Sequence, residues 1–66
     1  MSDSLFTKWL SRQVLRHDAV GAFALAALAD PAYPRESWRL HILLRRCAEP
    51  LRPGLKLAHA EWRVSR

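Results

Sequence analysis

The sequence predicts an all-α fold, a small bundle of four short helices in a single domain spanning residues 1–66. Two observations predict it. Apolar residues recur at helical spacing in each of four segments, and no segment shows the alternation that is typical of a β-strand. Half of the 66 residues are hydrophobic, which is enough for a core and argues against a disordered chain.

The first two helices each follow a residue that can cap a helix. Asp3 or Ser4 can cap the first, which is predicted from about Ser4 to Arg16. Asp18 can cap the second, which is predicted from about Ala19 to Ala29 and ends where a proline follows. The positions predicted to be buried in these two helices are Phe6, Trp9, Leu10 and Val14, then Val20, Phe23, Ala24, Ala27 and Leu28.

Prolines divide the second half of the chain. The segment Asp30–Pro34 is predicted to be a stiff connector whose tyrosine packs against the core. The third helix is predicted to start near Glu36 or Ser37 and to end before Pro50. After a turn, the fourth is predicted over about Gly54–Val64. The predicted buried stripe of the third helix consists of Leu40, Leu43, Leu44 and Cys47.

Several motifs along the chain match the pattern of one known family. They are Phe6–Leu10 in the first helix, Arg16–Gly21 at the first junction, the acidic–x–x–aromatic–Pro connector Asp30–Pro34, Ser37 with Leu40 and Leu43, and Trp62 in the last helix. The chain therefore resembles the YozE SAM-like family of small bacterial helical proteins. This resemblance implies a four-helix SAM-like bundle and a bacterial or phage origin, and it does not imply an enzyme.

The chain also departs from that family in two places. Ala22, Leu25 and Ala26 stand on the outer side of the second helix, where members of the family usually carry charged residues. The final helix lacks the usual second aromatic residue. The resemblance therefore implies the fold, whereas a role that depends on a charged second helix does not carry over.

Composition narrows the compartment and the class of partner. Cys47 is the single cysteine, so no disulfide framework exists and a reducing compartment fits. The N-terminus does not resemble a signal peptide, and no apolar run approaches the roughly 20 residues of a membrane span. We therefore predict a cytoplasmic protein without membrane binding. The formal net charge of +5 favours an acidic partner.

Candidate chemistry is sparse in this sequence. The possible metal ligands have none of the usual ligand spacings, and the histidines are predicted to face solvent or to cap helices. No nucleophile–base motif and no glycine-rich phosphate loop are present. We therefore predict that the protein is not an enzyme and has no metal, cofactor or small-molecule substrate. The metal-ligand candidates considered are His17, His41, Cys47 and His59.

A surface for a protein partner is the leading prediction. Trp38 and Ile42 are i, i+4 neighbours on the predicted third helix and point away from its buried stripe. Leu25 points away from the buried stripe of the second helix. An apolar patch of this kind marks a partner surface, for another protein or for a second copy of the chain, unless the bundle buries it. The predicted basic rim consists of Arg39, Arg45 and Arg46.

Binding of nucleic acid is the alternative prediction. Two basic helix faces can follow a phosphate backbone, and such contacts are sensitive to salt. A helix-turn-helix is disfavoured because its turn has about 3–4 residues and the proline-rich connector is longer. The phosphate-contacting residues would be Lys8, Arg12, Arg16, Arg39, Arg45 and Arg46.

The fourth helix carries two apolar stripes, Leu55/Ala58/Trp62 and Leu57/Ala60/Val64.

Overall fold

The computed structural model describes residues 2–65, and in that range it contains four α-helices and no β-strand. The predicted all-α class is therefore confirmed. The elements in chain order are α1 (Leu5–Ser11), α2 (Ala19–Ala29), α3 (Leu40–Arg46), a 3₁₀ turn (Glu49–Leu51) and α4 (Arg52–Ser65). No helix among the described residues is long and apolar enough to cross a membrane.

The C-terminal helix α4 makes contact with every other helix of the bundle. It packs against α1, α2 and α3, whereas no Cα atom of α3 comes within 8 Å of a Cα atom of α1 or α2. Its two apolar stripes differ in their exposure to solvent. The stripe Leu55/Ala58/Trp62 is buried, and the stripe Leu57/Ala60/Val64 is exposed to solvent.

The core contains most of the positions predicted to be buried. Trp9, Val14, Leu28, Leu40 and Leu44 are partly buried and pack against the edge of this core. Helical periodicity therefore identified the inward faces of α1, α2 and α3, whereas it left two candidate stripes in α4. The buried apolar residues are Phe6, Leu10, Val20, Phe23, Ala24, Ala27, Tyr33, Leu43, Cys47, Leu55, Ala58 and Trp62.

The first helix is shorter than predicted, since α1 ends at Ser11 and not at Arg16. Beyond it the backbone forms i to i−3 bonds, with the Gln13 N–H donating to the carbonyl of Leu10 at 2.8 Å. The Gln13 side chain also donates to the Trp9 carbonyl at 3.0 Å. The chain turns here because α2 packs back against the same core. Apolar spacing within one helix does not predict where such a turn occurs.

The third helix also starts later than predicted. It begins at Leu40, and its predicted first residues, Glu36 and Ser37, lie outside it. The carbonyl of Ser37 accepts a bond from the Ser4 hydroxyl at 2.9 Å. The carbonyl of Trp38 accepts one from His59 at 2.8 Å. These tertiary bonds replace the helical ones.

The fourth helix begins at Arg52, so the predicted turn over residues 51–54 is helical beyond its first residue.

The core position of Leu43 leads to a stability prediction. Leu43 on α3 is only 1% exposed. Leu43→Ala is expected to lower the free energy of unfolding by about 2–5 kcal/mol, because it removes buried methyl groups and leaves a cavity. Urea denaturation followed by circular dichroism measures the loss. Leu25→Ala, at an exposed leucine, is the control and should change stability by less than about 0.5 kcal/mol. Equal urea midpoints of unfolding for the two variants would contradict the observed orientation of α3, in which Leu43 faces the core.

Candidate protein-binding surface

Trp38 is the most exposed aromatic side chain among the described residues. It lies just before α3, and 47% of its surface is open to solvent. The guanidinium carbon of Arg39 stands 5.3 Å from the centre of the Trp38 ring, which is a cation–π arrangement. The prediction that Trp38 is a helical residue is wrong, yet the prediction that it points away from the core is confirmed.

A shallow depression, which we call the Trp38 groove, joins several of the predicted partner-binding residues. Its volume is about 330 Å³. Trp38 and Ile42 provide its apolar surface, with Ile42 half-buried and Trp38 more open. The structure therefore brings these two residues together although only one of them belongs to α3. The lining residues are Glu36, Ser37, Trp38, Arg39, Ile42 and Arg46.

A second depression, the His59 groove, shares Trp38 and Arg39 with the first. Its volume is about 500 Å³, and it lies where the start of α3 meets α4. Trp38 and Arg39 therefore form a ridge between two grooves. The lining residues of the His59 groove are Trp38, Arg39, Leu40, His41, His59, Trp62 and Arg63.

His59 lines the candidate surface, and the sequence prediction placed it wrongly. It is only 5% exposed, so the prediction that the histidines face solvent or cap helices is wrong at this position. Its ring packs against Phe6 and Trp62 with centroid distances of 5.2 and 5.4 Å. Since a carbonyl oxygen only accepts, Nε2 carries the proton that it donates to the carbonyl of Trp38. The sequence did contain a signal for this burial. His59 is four residues after Leu55, about one turn along α4, and therefore lies on the same buried face.

Hydroxyl groups of α1 and its cap hold the connector that leads to Trp38. Ser4 caps α1 by accepting from the Thr7 N–H, and its hydroxyl also donates to the Ser37 carbonyl. The Thr7 hydroxyl donates to the Arg35 carbonyl at 2.8 Å. The buried hydroxyl of Tyr33 lies 3.2 Å from that of Thr7, which confirms the predicted packing of this tyrosine. The backbone before α3 is therefore anchored to α1.

The remaining predicted partner-binding residues lie elsewhere. Leu25 is exposed, as predicted, but it lies on α2, which does not approach α3. The structure therefore does not join Leu25 to the Trp38 groove in one face. Arg45 is exposed and lines neither of the two grooves, whereas Arg39 and Arg46 both line the Trp38 groove.

The predicted basic stripe of the first helix is not a helical face. Lys8 is in α1, but Arg12 and Arg16 follow its end. Arg16 forms ion pairs with Asp18, at 2.7 Å, and with Glu61 of α4. The pKa of Asp18 is held below its usual range by the Gly21 N–H and by Arg16. Arg16 is therefore part of an intramolecular network, and the basic residues of α1 and α3 do not form adjacent faces.

The arginines around the ridge differ from the paired arginines of the chain. Arg16 pairs with acidic residues, and Arg35 pairs with Asp3 at 3.1 Å. Among the described residues, no ion pair involves the arginines that line the two grooves. Those arginines are Arg39, Arg46 and Arg63. In the described part of the chain, Glu36 is the only acidic residue that lines either groove.

The candidate ligand and nucleophile residues do not meet in one place. In the described part of the chain, no group of three His, Cys, Asp or Glu side chains is arranged to hold a metal ion. Cys47 is a buried free thiol, and its burial raises the pKa of the thiol. Because the thiolate is the reactive form, this position suits packing better than nucleophilic chemistry.

Comparison with known proteins adds no relative. The chain matches no protein-family model, no curated protein and no solved structure. The resemblance to the YozE SAM-like family stays a prediction that rests on the sequence motifs quoted above. The all-α architecture rests on the observed helices.

Proposed function

We propose that this chain is a non-catalytic interaction module that binds an acidic segment of another protein at the Trp38 groove. The observation that carries the proposal is the half-exposed Trp38 ring with the Arg39 guanidinium over it, next to Ile42 in one groove. Tryptophan and arginine are among the residues most enriched where a few side chains supply most of the binding energy of an interface. The same proposal includes a cytoplasmic location for the protein, as predicted from the sequence.

The shape of the surface supports a peptide-like occupant. The grooves on the two sides of the ridge are open and shallow, so they suit an extended or helical segment better than an enclosed small molecule. An apolar side chain of the partner would cover Ile42 and one face of Trp38. Removing these surfaces from water is the main favourable contribution that we expect.

The charge of the surface supports an acidic occupant. Arg39 and Arg46 line the Trp38 groove, and Arg63 lines the groove beside it. Carboxylates flanking the apolar anchor of the partner would meet these three guanidinium groups. Because rim charges act mainly on encounter, we expect them to raise the association rate and to make it depend on salt.

The rigidity of the backbone around Trp38 favours binding further. The carbonyl of Ser37 is held by α1 and that of Trp38 by α4. The ring is therefore presented on a backbone that is ordered before binding. Such preorganisation lowers the entropic cost of association.

The test is a peptide selection followed by measured affinities. A random 12-residue peptide library is selected on the wild-type chain, and the selected peptides are titrated against variants by tryptophan fluorescence and calorimetry. We expect selected peptides to combine apolar anchors with Asp or Glu. Ile42→Asp is expected to weaken their binding by about 30-fold, the loss typical of a central interface residue. Trp38→Ala, followed by calorimetry, should have a similar effect.

The matched control is Leu25→Asp, which makes the same kind of change at an exposed residue on α2. It should leave the affinity unchanged, and all variants should keep the helical circular dichroism of the wild type. Peptides that bind the Ile42→Asp variant as tightly as the wild type would contradict the proposal. Tight binding of a short DNA duplex that falls steeply with salt and with the double change Arg45→Ala, Arg46→Ala would favour the nucleic-acid alternative instead.

A further inference from the structure

The outward side of α4 carries an apolar stripe that no part of the described chain covers. Leu57 is 56% exposed, Val64 is 86% exposed, and Ala60 between them is also exposed. We call these three residues the outer stripe. At 3.6 residues per turn, the outer stripe lies nearly opposite the stripe that packs into the core. It is therefore separate from the Trp38 groove, whose lining residues all precede α4.

The spacing of the outer stripe is that of a helix-pairing seam. Leu57, Ala60 and Val64 are separated by three and then four residues, as the a, d and a positions of a heptad repeat are. In this register Lys56 is at a g position and Glu61 at the e position of the same seam. The two flanks of the seam therefore carry opposite charges.

We propose that α4 pairs with α4 of a second copy of this chain, in parallel, through the outer stripe. In a parallel pair, a g residue faces the e residue of the next heptad on the other helix, so Lys56 of each copy meets Glu61 of the other. In an antiparallel pair, g residues face each other, which brings Lys56 near Arg63. Charge complementarity therefore selects a second copy in the parallel orientation.

The rest of the fold leaves room for this pairing. The bundle lies on the inward side of α4, so the two bundles stand on opposite sides of the paired helices. Glu61 is already paired with Arg16, but its side chain is 44% exposed. A carboxylate has about four lone-pair sites, so Glu61 can accept from Lys56 of the second copy as well. The seam covers only residues 57–64, little more than one heptad, so we expect a weak dimer that depends on concentration.

The test is analytical ultracentrifugation from about 10 µM to about 1 mM protein at moderate salt, the range in which a weak dimer forms. The wild type should shift from monomer to dimer. Leu57→Asp should lower the association constant about tenfold or more, because it places a charge in the seam. Leu25→Asp is a close control, since Leu25 is 57% exposed on another helix and should dimerise as the wild type does.

Charge exchange tests the orientation. Lys56→Glu and Glu61→Lys should each weaken self-association, and an equimolar mixture of the two variants should form a heterodimer with wild-type affinity. Circular dichroism checks that Glu61→Lys, which also removes a partner of Arg16, keeps the fold. The proposal is overturned by a wild type that stays monomeric over the whole range. It is also overturned by self-association that survives Leu57→Asp and is lost with Trp38→Ala, which would place the contact at the Trp38 groove.

Discussion

Replacing Gly21 by alanine is expected to destabilise the domain by about 3 kcal/mol or more, an overpacking effect at the upper end of the usual range. Gly21 lies in the first turn of α2, where a Cβ atom would stand 2.1 Å from the carbonyl oxygen of Arg16. Both the oxygen and the carbon of that carbonyl are backbone atoms, so the neighbour cannot move away as a flexible side chain would. The helix-forming advantage of alanine, about 1 kcal/mol, does not offset such an overlap.

The measurement is chemical denaturation of the Gly21→Ala variant, with Ala22→Gly as its counterpart. Ala22 is exposed on the next position of α2, and its replacement by glycine should cost only about 1 kcal/mol through helix propensity. Gly21 does not have a positive φ, so the close approach of the chain is the reason for a glycine at this position. A Gly21→Ala variant as stable as the wild type would mean that α2 does not cross the preceding turn at this distance.

Replacing Phe6 by alanine is expected to cost about 3–5 kcal/mol, the usual loss for a buried aromatic residue. Phe6 is fully buried, and its ring centroid lies 5.2 Å from that of His59 and 5.3 Å from that of Trp62. It is the side chain through which α1 packs on the aromatic part of α4. A domain of this size has a stability near the lower end of about 5–15 kcal/mol, so the variant should retain at most about 2 kcal/mol and be partly unfolded at 37 °C.

Thermal denaturation of Phe6→Ala compared with Leu5→Ala checks this expectation. Leu5 is the adjacent residue of α1, and it is exposed, so its truncation should change stability by less than about 0.5 kcal/mol. Because Phe6 supports His59, the indole NMR signal of Trp38 should also broaden or shift in any folded fraction of Phe6→Ala. Equal melting temperatures for the two variants would contradict the observed inward face of α1.

Local patterns in the sequence were sufficient for much of this structure. The bounds of α2 agree with the prediction because both signals lie within a few residues, the Asp18 side chain that accepts from the Gly21 N–H and the proline after Asp30. The buried faces of α1, α2 and α3 followed from apolar spacing, which reflects the geometry of a single helix. The burial of Tyr33 followed from its place in a stiff connector.

The candidate site depended on contacts between distant residues. His59 is bonded to the carbonyl of Trp38, 21 residues away, and Ser4 to the carbonyl of Ser37, 33 residues away. These bonds occupy the carbonyls of Ser37 and Trp38, which would accept helical hydrogen bonds if α3 began earlier. Trp38 therefore lies before the helix. Arg16, predicted to be free for phosphate, pairs with Glu61 across 45 residues.

What the amino-acid order established about this protein is therefore the all-α class, the extent of α2 and the inward faces of α1, α2 and α3, since each depends on neighbours within about one helical turn. The tertiary structure decided where α1 ends, where α3 begins, that His59 is buried and that Leu25 is remote from Trp38. Those features depend on which helix packs against which. The contacts of α4 with all three other helices set that arrangement, and no local pattern encodes it.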